Sequence, residues 1–184
     1  MPRPEHAAPR AAAPAPANSR TVPALRRAAS LNGMRWLAQR SSTPETVLRC
    51  WQRGDAAPVP VGVGIVAIRV PAALGRVALR VLDEQQPPVA VGPVILNHLL
   101  KAVEFIVPAS PALWPGSDIV RLDGRLDSTR TVRVPPLGCR GSGREWLRTP
   151  RAAAGKRPIL TDPHHLAHAL TTARSKFPAG SPIR

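Results

Sequence analysis

The chain has 184 residues, 43% of them hydrophobic, and 26 Lys and Arg against 11 Asp and Glu give it a formal net charge of +15. That length suits one domain with a sizeable core, which four Trp, two Phe and no Tyr leave mostly to Val, Leu, Ile and Ala. Cys50 and Cys139 are too few for a disulfide scaffold and sit in no metal-ligand spacing, and no apolar run approaches the roughly 18 residues of a membrane span, so no membrane partner is expected and a reduced, cytoplasmic protein is.

From residue 1 to about 42, Pro, Ala and Arg alternate, with Glu5 the only acid and prolines at 2, 4, 9, 14, 16 and 23. This composition predicts a disordered basic tail. A helix between Pro23 and Arg40 would draw on Leu25, Met34, Trp36 and Leu37 but is interrupted by Asn32 and Gly33. Met34 also offers a second start position.

Thr43 and Pro44 read as an N-cap and first helical residue, with Val47, Leu48 and Trp51 on one face and a stop near Gly54. After a turn-rich stretch from Asp55 to Pro60, residues 61–70 are apolar on both alternating faces, the pattern of a buried central strand. Pro71 opens a helix in which Leu74, Val77, Ala78, Val81 and Leu82 follow helical spacing, closing before Pro87. Strands are predicted over residues 92–96, 102–107, 119–122 and 131–134, with links short enough to imply antiparallel pairing. Thr161, Asp162 and Pro163 start a last helix whose Leu166, Ala169, Leu170 and Ala173 form one apolar face. The expected fold class is α+β, a mostly antiparallel or mixed sheet with helices packed on one face, over residues 43–174, followed by a disordered C-terminal tail over 175–184.

Chemistry is sparse. His164 and His168 have the i, i+4 spacing of two metal ligands, but no third ligand or glutamate accompanies them. Gly62 and Gly64 lie within the strand run rather than at a strand-to-helix turn, which argues against a phosphate cradle. The segment Gly141, Ser142, Gly143 lacks the spacing of a serine nucleophile elbow and reads as a flexible loop. Asp118, Asp123 and Asp127 are interleaved with Arg121 and Arg125, which suggests surface ion pairs rather than a metal site. No cofactor and no metal is implied.

The suggestive region for binding is arginine-rich. Arg133, Arg140, Arg144, Arg148 and Arg151 accompany Trp146, and guanidinium groups suit phosphates as an indole suits a base, so these six residues are the candidate nucleic-acid contacts. The alternative is a solvated loop with Trp146 packed inward and a charge excess that merely reflects composition.

Several short blocks recur in an order that resembles a known family: Trp51, residues 58–62, Val70 with Pro71, Gly75, Ala78 with Leu79, Leu82, residues 92–94, residues 105–108, Trp114, residues 134–136, residues 145–147 and residues 161–163. Together they resemble the amino-terminal primase-polymerase-like domain of actinomycete bifunctional DNA primase/polymerase proteins. That resemblance implies a fold in which two strand carboxylates hold divalent metal for nucleotidyl transfer. Here residues 65–69 carry no Asp or Glu, and the nucleotide-binding histidine implied by the family has no counterpart. The expectation is a non-catalytic primase/polymerase-like protein with DNA or RNA as partner; a protein-interaction module with another protein as partner is the alternative.

Overall fold

The computed structural model describes residues 21–111, 114–124 and 131–177. Among these described residues, four helices and seven strands follow in the order α1 (Thr21–Ala38), α2 (Pro44–Gln52), β1 (Ala57–Pro60), β2 (Ile65–Pro71), α3 (Ala72–Glu84), β3 (Val94–Asn97), β4 (Ala102–Pro108), β5 (Val120–Leu122), β6 (Thr131–Val134), β7 (Arg144–Arg148) and α4 (Pro163–Arg174). The fold is α+β with antiparallel sheets, as the sequence predicts.

Five strands form a sheet in the order β5-β2-β4-β3-β7, and β1 and β6 form a separate two-stranded ribbon. Strand alternation sends side chains to two cores. Val66, Ile68 and Val70 of β2, Val94 and Leu96 of β3, and Val103, Phe105 and Val107 of β4 meet Leu74, Ala78 and Leu82 of α3 and Leu166, Leu170 and Ala173 of α4. Ile65, Ala67, Ile95 and Ile106 point the other way, against Met34, Leu37 and Ala38 of α1, Val47 of α2, and Val59, Val132 and Val134 of the ribbon. Helices α3 and α4 share one face, but the expectation of helices on one face alone fails, because the apolar residues of α1 and α2 pack with the ribbon as a third layer on the other.

The disorder expected through residue 42 therefore fails over Thr21–Ala38. Gly33 does not interrupt α1, because the missing side chain is what lets the helix touch the chain after β7: a Cβ there would lie 2.5 Å from the Pro150 carbonyl oxygen. Ala152 N–H donates to the Ala29 carbonyl at 3.0 Å, and Ser30 and Thr149 hydroxyls meet at 3.0 Å. The expected C-terminal tail begins too early as well, since Phe177 packs against the α3–α4 core. Residues 1–20 and 178–184 lie outside the described residues.

The long apolar run splits. Gly62 and Gly64 adopt φ of +103° and +72° and turn the chain between β1 and β2, and Gly62 lies so close to Asp123 that a Cβ would sit 2.2 Å from its carbonyl oxygen. Strand β1 emerges from the stretch read as turns. Its Pro58 and Pro60 are tolerated because β1 pairs only with β6, and an edge strand can leave ring nitrogens outside the ladder. At α4, the Asp162 carboxylate accepts from the backbone N–H of His164 at 2.8 Å and of His165 at 3.3 Å, the N-cap anticipated there.

Candidate nucleic-acid interface

Strand β7 is the principal correction around the site. Gly141 N–H donates to the Arg144 carbonyl and Arg144 N–H to that of Gly141, both at 2.9 Å, while Ser142 and Gly143 take φ of +48° and +71°. Two left-handed residues between paired carbonyls make a tight hairpin turn, so the supposed flexible loop instead launches the edge strand of the main sheet. Pairing with β3 places Arg144 opposite Asn97, Glu145 opposite Leu96 and Trp146 opposite Ile95, with a register shift before Arg148 meets Val94.

On the sheet face away from α3 and α4, a polar row crosses the strands. Glu104 of β4 is fully buried, and its Oε1 accepts from Arg69 Nε at 2.9 Å and from Asn97 Nδ2 at 3.2 Å, with Arg69 Nη2 also at 2.9 Å. Arg144 completes the row. Partial burial lowers its guanidinium pKa from the ordinary value; the nearby Glu104 charge opposes that shift and the Arg69 and Arg133 charges add to it. Its Nε is buried without a hydrogen-bond partner, as is Glu104 Oε2. Arg69 pairs with Glu104, and Arg144 lies within electrostatic reach of Glu104, Arg69 and Arg133, so positive charge is in excess around it.

The six sequence candidates divide. Arg133 and Arg144 belong to this cluster. Arg140 lies at the hairpin and pairs with Glu145 at 3.3 Å, where His98 Nε2 also contacts Glu145 Oε1 at 2.9 Å. Partial burial raises the Glu145 pKa, but the hydrogen bonds and charges of His98 and Arg140 outweigh it and hold the carboxyl below its usual range. Trp146, Arg148 and Arg151 line a separate groove of about 500 Å³ together with Asp83, Leu147 and Ile159. There Arg148 forms an ion pair with Asp83, Arg151 is exposed, and the Trp146 indole N–H donates to the Pro135 carbonyl at 3.0 Å. Trp146 packs against the α1–ribbon core, so it forms the groove floor rather than a free stacking platform.

Arg69 and Glu104 were not singled out in the sequence as interface residues. A charged residue in each of two otherwise apolar strands was the available signal, and their direct opposition in the β2–β4 register supplies what it lacked.

Other motifs stay apart. His165 rather than His164 joins His168 in a groove of about 620 Å³ beside Asp162 and Gln86. Among the described residues no three His, Cys, Asp or Glu side chains stand together as a metal-binding group. Asp118 pairs with Arg174, and Asp123 with Arg121 at 3.0 Å; Asp127 and Arg125 lie outside the described residues. No described helix is long and apolar enough to cross a membrane.

Compared with protein-family models, curated proteins and solved structures, the chain finds no match.

Proposed function

We propose that this chain is a non-catalytic, primase/polymerase-like accessory protein that binds single-stranded DNA or RNA along the β7 edge of its main sheet. The observation that carries the reading is the charge balance there. Arg144 and Arg148 lie on β7, Arg140 pairs with its Glu145, Arg151 shares a groove with Arg148, and Arg69 and Arg133 lie within electrostatic reach of Arg144; the carboxylates paired among them are Glu104, Glu145 and Asp83. Phosphodiesters supply the missing negative charge, and partly desolvated guanidinium groups bind them more strongly than fully hydrated ones.

The non-catalytic part rests on β2. Arg69 occupies the only charged position of that strand and is already committed to Glu104, so the strand offers no carboxylate for a divalent ion. Fluorescence anisotropy of a labelled single-stranded oligonucleotide tests the binding reading. The full chain should bind in the micromolar range, and Arg133→Ala with Arg144→Ala should weaken binding about tenfold at low salt, each phosphate contact contributing to a salt-dependent total. Equal affinity in the doubly substituted protein would remove this face as the site.

A further inference from the structure

We propose that Leu99 and Leu100, at the tip of the β3–β4 turn, are an aliphatic wedge that contacts the faces of unpaired bases; this rests on the nucleic-acid reading above. Leu99 is 74% and Leu100 53% exposed, and Val120 beside Leu100 is 42% exposed. Two adjacent leucines at the tip of a short turn are costly to leave in water, and this turn is held in place. The buried Asn97 accepts from Leu100 N–H at 3.1 Å while its amide binds Glu104. His98 N–H donates to the Gly143 carbonyl at 2.9 Å, Ala72 N–H to that of Lys101 at 2.8 Å, and a Cβ on Gly143 would come within 2.8 Å of Leu99. The leucines are displayed by the same network that holds Arg69.

Cations flank them. Arg69 and Lys101 line a groove of about 350 Å³ with Leu100 and Val120, and Arg144 lies across from Asn97 at the base of the turn. The carboxylates at this end are already paired: Glu104 with Arg69, Glu145 with His98 and Arg140, and Asp118 with Arg174. The partner that fits carries negative charge and flat apolar faces a few ångströms apart, which a single nucleic-acid strand provides. Base contact falls to these aliphatic groups because all four Trp and both Phe are at least partly buried. Apolar side chains beside phosphate-binding cations contact or separate bases elsewhere in nucleic-acid recognition.

The test compares the full chain with its Leu99→Ser, Leu100→Ser double variant on an oligothymidylate and on an abasic oligomer of equal length. Both residues are exposed, and an unchanged thermal midpoint verifies the fold. The expected result is that the wild-type chain prefers the base-bearing oligomer by roughly five- to tenfold. The variant should bind both oligomers alike, with an unchanged salt slope. A variant that keeps the preference, or a wild-type chain that binds both oligomers equally, overturns the wedge while sparing the arginine interface. Binding to neither oligomer overturns both, and leucine-dependent binding to phosphatidylglycerol vesicles in that case assigns the turn to a lipid surface instead.

Discussion

Replacing Glu104 by alanine should be the most damaging single change in the polar row. The side chain is fully buried, and its Oε1 takes hydrogen bonds from both Arg69 and Asn97. Removing one partner of a buried ion pair typically costs about 3–5 kcal/mol, because the other charge is left behind. The Arg69 side chain is 26% exposed, so water recovers part of its solvation and the expected loss is roughly 2–4 kcal/mol. Urea unfolding of the full chain should show a lower midpoint at constant slope. Replacing both Arg69 and Glu104 by methionine should restore part of the stability, since a well-packed apolar pair avoids the desolvation cost altogether. A Glu104→Ala protein within about 1 kcal/mol of wild type, or a double methionine variant less stable than Glu104→Ala, would refute this reasoning.

Gly33→Ala should destabilise the fold by about 1–2 kcal/mol in thermal or urea melts: the gain in helix propensity is at most about 1 kcal/mol, and the clash with Pro150 exceeds it. Trp146→Phe loses the hydrogen bond to the Pro135 carbonyl and should cost about 1 kcal/mol in stability, while oligonucleotide affinity measured by anisotropy stays within about twofold because an apolar ring still floors the groove. The Glu145 pKa is lowered in the folded protein, so its contribution to stability is present above the unfolded carboxylate pKa and disappears as pH falls through the folded value. Glu145→Gln should accordingly flatten the acid limb of the stability-versus-pH curve, and an unchanged limb would show that His98 and Arg140 do not hold the carboxylate in solution.

The elements legible in the sequence were those with a period and a boundary of their own. Residues 72–84 carry a helical stripe between two proline signals, and Asp162 with Pro163 marks the start of α4 before any contact is known. Strand β4 was legible because Val103, Phe105 and Val107 alternate with residues that are also buried. What escaped depends on contacts distant in sequence. Strand β7 is half-exposed on both sides, so its residues show no alternation, and its pairing with β3 defines it. Helix α1 looked broken at Gly33 because the segment that packs on that glycine lies more than a hundred residues away. The arginine count was visible from the start, but not that Arg148 is committed to Asp83 while Arg144 feels the charges of Glu104, Arg69 and Arg133.

On the proposed function, nucleic acid binds the folded arginine face and not the basic N-terminal segment. The most direct measurement is the salt dependence of single-stranded oligonucleotide affinity for three full-length proteins: wild type, Arg133→Ala with Arg144→Ala, and Arg3→Ala with Arg10→Ala and Arg20→Ala. If the folded face binds, the first variant loses affinity and about one to two units of log–log salt slope while the second stays close to wild type. The reverse pattern, with affinity lost on changing Arg3, Arg10 and Arg20 and kept without Arg133 and Arg144, would contradict it.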